Sequence, residues 1–344
     1  MERKGVCYDV GRVMIGRNWR PDFDPKVIHR ELEIIKNDLH CNAVRLQGLD
    51  LDRLAIASED ALQQGLEVWF SPEMWDREQD ETRDHVVKGA AKAEELRLRW
   101  PNHVVFSVGS EVTLFTQGFL PGDNVLERLA NPSLWGNLRA GVHNPPLNAF
   151  LAKTNSGVRD VFHGPVTYAS VGLETVDWTP FDIVGVDLYR EKRMREMYPK
   201  LLQRYLGFGK PLANMEFGCC TFKGADDLGG RGWDIVDWSK VPPQLKGDYV
   251  YDQATQAREL ADLLRLNDDA GVYATFVFTF VEPGAGLQDD MERQLLAALK
   301  FDLDIVRYSL VRSFHDGRHG STYPDMPWEP KESFKVVADY YANR

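Results

Sequence analysis

Residues 24–47 read DPKVIHRELEIIKNDLHCNAVRLQ, and this stretch decides the fold class. Asp24 offers a side-chain oxygen to the unpaired N–H groups of a helix start, and Pro25 presets the first helical φ where its missing N–H costs nothing. Ile28, Leu32, Ile35 and Leu39 then fall on one helical face. Ala43 to Gln47 follows as a short strand, and Gly5 to Asp9 precedes the helix as another. The pattern is strand, helix, strand, which implies a parallel pair joined by a helical crossover.

The same alternation continues outward. Strands are predicted at Gly5 to Asp9, Ala43 to Gln47, Glu67 to Pro72, His103 to Val108, Val166 to Ser170, Ile183 to Tyr189, Leu212 to Phe217 and Val272 to Phe280. Helices are predicted at Asp50 to Gln64, Glu81 to Trp100, Leu147 to Val161, Glu191 to Tyr205 and Asp252 to Asn267, the last with Ala254, Ala257, Ala261 and Leu264 in a stripe. Met291 to Ala298 and Glu332 to Ala342 read as closing helices. Eight β-α units imply an α/β chain folded as a single (β/α)8 TIM barrel over residues 1–344. The longest irregular stretches, Leu114 to Pro146 and Cys219 to Asp248, follow strands four and seven, where a barrel builds its chemistry.

The composition agrees with that reading. The chain has 344 residues, is 43% hydrophobic and carries a formal net charge of -11. Its Lys and Arg are scattered rather than gathered in a stripe, which argues against nucleic acid and anionic membrane as partners. The N-terminus lacks the pattern of a secretory signal, and the longest apolar stretch, Val272 to Val281, is too short to span a bilayer. A cytoplasmic protein is expected, and its oligomeric state is not legible. Cys7, Cys41, Cys219 and Cys220 are too few and too irregular for a disulfide framework or a zinc finger.

Asp9, Glu73, Asp76, Glu111, Glu174, Asp187, Glu216 and Glu282 lie at or just past strand ends, so the barrel mouth is acidic. None of the eight histidines sits beside a strand-end carboxylate, so no metal ligands are expected. A pair of carboxyl groups working as acid and nucleophile suits such a mouth, and this is the requirement of glycosidic bond cleavage. Trp75 and other loop aromatics offer faces on which a sugar stacks. The segment Gly224 to Gly232 lacks the Gly-Lys-Ser/Thr ending of a phosphate loop and reads as a mobile loop over the site.

Two segments, His103-Val-Val-Phe-Ser-Val-Gly-Ser-Glu111 and Lys210-Pro-Leu-Ala-Asn-Met-Glu216-Phe-Gly218, resemble the strand-four and strand-seven ends of the retaining glycoside hydrolases of clan A. The resemblance implies that Glu111 is the acid/base and Glu216 the nucleophile. Ala43-Val-Arg45-Leu is similar to the strand-two segment whose Arg holds the nucleophile ionised, and Asp182-Ile-Val-Gly-Val-Asp187-Leu-Tyr189 to the strand that brings a Tyr near it. Trp178 and the closing segment from Trp328 also have parallels.

The chain departs from the clan pattern at Ser110, where an Asn is usual, and at strand eight, where Phe278 or Phe280 stands in the region of a Trp. The implied substrate-binding set is Arg45, Glu73, Trp75, Asp76, Ser110, Trp178, Asp187, Tyr189 and Phe280. The implied function is double displacement on a small soluble oligosaccharide or glycoside, with no cofactor. Double displacement requires the two carboxyl groups about 5 to 5.5 Å apart.

The chain also resembles bacterial proteins labelled as abortive phage infection proteins. That likeness implies the alternative of a non-catalytic barrel that binds a sugar or partner in defence or signalling. A lyase or aldolase barrel needs a buried Lys or a metal, which these strand ends do not offer.

Overall fold

The computed structural model describes residues 1–282, 294 and 297–344. Eight parallel strands close into a barrel in sequence order. They are β1 (Arg3–Gly11), β2 (Ala43–Gly48), β3 (Glu67–Pro72), β4 (Val104–Ser110), β5 (Val166–Val171), β6 (Val184–Asp187), β7 (Leu212–Phe217) and β8 (Ala274–Val277). Each coincides with a strand expected from sequence. The fold class is that of a (β/α)8 barrel.

Side-chain parity along the strands sorts the core into two layers. Cys7, Ala43, Trp69, Val105, Ala169, Ala213, Met215, Ala274 and Phe276 share an inner cluster. Val6, Tyr8, Val44, Leu46, Val68, Phe70, Val104 and Phe106 belong to an outer cluster under the helices. Trp69 and Phe276, with ring centroids 4.8 Å apart, fill the barrel interior. Gly5 is required beside them, because a Cβ there would lie 2.5 Å from the Phe276 ring.

The covering helices are α1 (Pro25–Asn37), α2 (Leu51–Gln63), α3 (Gln79–Arg99), α4 (Asn144–Arg159), α5 (Tyr198–Leu206), α6 (Gln253–Ala270) and α7 (Glu332–Ala342). Asp24 caps α1 by accepting from the Lys26 N–H at 2.8 Å. Asp24→Ala is expected to lower stability by about 1 kcal/mol, read as a lower denaturant midpoint with unchanged slope.

Several expectations need correction. The helix expected at Glu191 to Tyr205 is a single turn, Lys192–Met194, followed by α5. Pro199 lies in the first turn of α5, where its missing N–H is harmless; further inside a helix its ring would clash with the preceding turn. The stretch after β4 is not irregular, since it holds the short helices Val112–Phe115, Val125–Ala130 and Leu134–Ala140. The segment 224–232, expected as a mobile loop over the site, has regular turn structure. It forms 3-10 turns, and the Tyr308 hydroxyl accepts from the Gly232 N–H at 2.9 Å and donates to the Gly229 carbonyl at 2.8 Å. The helix expected at Met291 to Ala298 falls mostly outside the described residues. No described helix is long and apolar enough to cross a membrane.

Candidate active site

Parity on β2 turns Arg45 and Gln47 to the same face as Ala43, into the barrel. Cys7, Arg45 and Trp69 stand in register across β1, β2 and β3. Arg45 is fully buried, and its Nη1 donates to Glu216 Oε1 at 2.9 Å and to the Met215 carbonyl at 3.1 Å. Gln47 Nε2 donates to the same Glu216 oxygen at 2.8 Å, and the Tyr189 hydroxyl donates to Glu216 Oε2 at 3.2 Å. Three donors, two on β2 and one just past β6, therefore converge on one carboxylate. Oε1 takes two of them and Oε2 only the longest.

Glu111 reaches the site from the end of β4 in a left-handed conformation, φ 46 and ψ 42, uncommon for a residue with a side chain. Such a conformation costs on the order of 1–3 kcal/mol and persists only where the surroundings impose it. Here they do. The Glu111 N–H donates to the Ala169 carbonyl at 2.8 Å, and the following N–H of Val112 donates to the Tyr168 hydroxyl at 2.8 Å. Tyr168 in turn donates to Glu174, whose Oε1 also accepts from the Thr113 N–H at 3.1 Å. Glu174 therefore anchors the turn that presents Glu111.

The two carboxyl groups sit in opposed surroundings. Burial, then the negative charges of Glu216 and Glu174, push the Glu111 carboxyl well above the ordinary range, so it holds a proton where a free glutamate would not. Glu216 instead faces the guanidinium. Burial alone would lower the affinity of Arg45 for its proton, but Glu216, Asp187 and Glu73 outweigh it, and Arg45 stays charged.

Two further carboxyl groups crowd the same cation. Glu73 Oε1 and Asp187 Oδ1 each lie 3.5 Å from a terminal nitrogen of Arg45. Burial raises both above the ordinary carboxylate range, more strongly for Asp187, where the Glu216 charge adds to it. Asp187 shares a 3.0 Å hydrogen bond with Ser110 Oγ. No group of three or more His, Cys, Asp or Glu among the described residues is disposed to hold a metal. Arg45 occupies the centre of the carboxyl groups.

Arg12 is buried at the mouth, with its Nε 2.6 Å from Asp9 Oδ2. Its guanidinium carbon lies 5.1 Å from the Trp19 ring centroid, 5.5 Å from that of Trp75 and 5.0 Å from that of Phe278. Trp75 is also stacked on Phe115 at 4.2 Å. Tyr189, Phe278 and Tyr308 meet edge to face with centroids 5.8–6.4 Å apart. Of the residues at the mouth, Arg12, Trp19, Gln47 and Tyr308 were not picked out from the sequence. Strand parity points to Gln47, two residues past Arg45, but no local signal marks Tyr308.

Glu111, Glu216, Arg45, Glu73, Ser110, Asp187 and Tyr189 are thus brought together, with Trp75 at the rim. Asp76 is turned away. Its carboxylate pairs with the fully buried Arg128, which also donates to the Leu114 and Gly122 carbonyls, so Asp76 braces the loop after β4.

Trp178 and Phe280, expected among the binding residues, are enclosed in the outer core. Trp178 packs on Tyr168 and Phe181 where no helix covers the connection from β5 to β6. Phe280 is fully buried against Tyr8, Trp328 and Phe334. Strand parity puts Phe276, Phe278 and Phe280 on one face. Because β8 ends at Val277, only the first two remain on the inner side. The four cysteines are buried free thiols, and burial raises each of them.

No protein-family model matches the chain, and no curated protein does. Solved structures of glycoside hydrolases share the fold. A GH113 β-mannanase from Alicyclobacillus acidocaldarius, in complex with ManMIm, superposes with a TM-score of 0.62 at 17% identity, over 99% of this chain and 97% of that one. A glycoside hydrolase 5 lichenase from Caldicellulosiruptor sp. F32 gives 0.56 at 10% identity, over 98% and 92% of the two chains. A β-glucuronidase from Ruminococcus gnavus gives 0.55 at 13% identity, over 99% of this chain and 50% of that one. At these identities the likeness is one of fold.

Proposed function

We propose that the chain is a retaining glycoside hydrolase acting on a small soluble oligosaccharide or glycoside. The observation that carries this is the division of labour between two carboxyl groups on one barrel mouth. Glu216 is bonded to a cation and two further donors, while Glu111 is desolvated and keeps a proton. Carboxyl groups whose surroundings push them apart in this way are the mark of an acid and its partner.

In the first step Glu216 Oε2, which accepts only from Tyr189, attacks the anomeric carbon. The bond from that carbon to the leaving oxygen breaks, and the Glu111 proton passes to that oxygen. The Glu111 carboxylate then takes a proton from water, the water oxygen attacks the same carbon, and the ester to Glu216 is released. Two inversions return the original anomer. The groups the chain itself supplies are these two carboxyls with Arg45, Gln47 and Tyr189 around them.

The test is turnover of aryl β-mannosides, β-glucosides and β-glucuronides, with the anomer of the first product read by NMR. A product of inverted configuration, or turnover unaffected by loss of either glutamate, sinks the mechanism.

Glu111→Gln is expected to lower kcat/KM by roughly 10²–10⁴-fold on alkyl glycosides, whose leaving oxygen needs a proton, and far less on dinitrophenyl glycosides. The raised Glu111 carboxyl is protonated below its shifted pKa, so wild-type activity falls as pH rises through that value. Glu111→Gln removes the Glu111 share of this alkaline limb and makes it shallower. A variant that keeps the limb unchanged assigns it to another group.

A further inference from the structure

Three carboxyl groups meet one guanidinium at the barrel mouth, and the geometry gives each a different share of it. Glu216 Oε1 accepts a 2.9 Å hydrogen bond from Arg45 Nη1. Asp187 Oδ1 is 3.5 Å from the same nitrogen, without a hydrogen bond, and no other donor reaches it. The side chain of Asp187 is wholly enclosed, so water does not compensate. A buried carboxylate with one oxygen unpartnered is costly, whereas the neutral acid is not.

Among the described residues, the one side chain hydrogen-bonded to Asp187 is Ser110, with its Oγ 3.0 Å from Oδ2. Ser110 immediately precedes Glu111, and Asp187 stands in register with Glu216 across β6 and β7. Ser110 is therefore the chain neighbour of one catalytic carboxyl and is bonded to the strand neighbour of the other. The direction of its bond to Asp187 decides what it offers to a ligand. If Asp187 is ionised, the Ser110 hydrogen points inward to it and Ser110 presents only lone pairs.

We propose that Asp187 is a neutral carboxylic acid that donates its proton to Ser110 Oγ, which turns the Ser110 hydroxyl hydrogen toward the bound glycoside beside Glu111. Asp187 is then a positioning residue, and Ser110 is the donor that touches substrate. This rests on the glycosidase reading above, and the test separates the two. The groups facing Asp187 are Arg45 on β2, Glu216 on β7, Glu111 and Ser110 at the end of β4, Cys7 on β1 and, past its own strand, Tyr189. Of these only Arg45 favours the ionised form by its charge, and its shorter bond goes to Glu216.

The decisive variant is Asp187→Asn, whose amide N–H donates to Ser110 Oγ as the neutral acid does. With the aryl glycoside that the wild type cleaves fastest, Ser110→Ala and Asp187→Ala are each expected to lose about tenfold in kcat/KM, and Asp187→Asn to recover most of what Asp187→Ala loses. The double variant Ser110→Ala with Asp187→Ala is expected to lose no more than either alone, because the two act as one unit. Infrared difference spectra at neutral pH are expected to show a protonated-carboxyl band in the wild type that Asp187→Asn lacks.

The alkaline limb also becomes shallower in Asp187→Asn, since only Glu111 still loses a proton there. A loss in Asp187→Asn as large as in Ser110→Ala, or no such infrared band, overturns the proposal. If the wild type turns over none of the glycosides, the function reading falls. The infrared band then decides the state of Asp187 by itself.

Discussion

Glu216→Ala is expected to lower kcat/KM on every aryl glycoside that the wild type cleaves by on the order of 10⁴-fold or more, about 5.5 kcal/mol of transition-state stabilisation. No second group can take its place. Among the described residues Glu73 and Asp187 are the only other carboxyls paired with Arg45, and both are enclosed, with side chains 2% and 0% exposed against 10% for Glu216. The variant leaves a small space lined by Arg45, Gln47 and Tyr189, all donors, which suits a compact anion. Added azide is therefore expected to restore turnover and to give a glycosyl azide of the opposite anomer. Restored turnover with retained configuration, or a variant as active as the wild type, ends the case for Glu216 as nucleophile.

Arg45→Ala is the substitution expected to cost most in stability, about 3–5 kcal/mol, because it strips a buried cation from three buried carboxyl groups. The denaturant midpoint reads the loss. Its pH dependence follows from the direction of the shifts. Glu73 already has a folded pKa above its unfolded one, and it and Glu216 both lose their cationic partner without Arg45. Such groups cost nothing below the unfolded pKa, where both states are protonated, and progressively more as pH rises. The gap between variant and wild type is therefore expected to shrink toward pH 4 and widen toward neutrality. Adding Glu73→Gln to Arg45→Ala removes one of the stranded charges and is expected to recover part of the loss. A gap that is flat with pH, or a double variant less stable than Arg45→Ala, contradicts this account of the cluster.

Barrel architecture was legible because its signals are local. The cap at Asp24, the apolar stripe of α1 and the β-branched runs depend on residues a few positions apart, and all eight strands lie where the alternation puts them. The ends of β4 and β7 located Glu111 and Glu216 for the same reason. A strand end is visible in sequence, and in a barrel it is a position at the mouth. Gln47 was within reach of the same parity argument.

What sequence could not supply was the sorting of side chains that lie near the mouth into those that face it and those that do not. Phe280 shares the parity of Phe276 and Phe278, yet it is buried under α7 because β8 stops at Val277. Trp178 looks like a loop aromatic but covers the barrel where a helix is missing. Asp76 looks like a strand-end acid but answers Arg128, more than fifty residues away in the chain. The sharing of the cation is equally non-local, since Glu73, Asp187 and Glu216 reach Arg45 from three separate strands and only their distances show that the shortest contact goes to Glu216. Short-range periodicity determined the strands, the barrel and the strand-end places of its acids, because those follow from neighbours in sequence, while Glu111 and Glu216 were singled out among those acids by the resemblance to clan A enzymes. Tertiary structure alone decided the charge state, orientation and company of each group at the mouth, because burial and Coulomb interaction depend on what packs close in space.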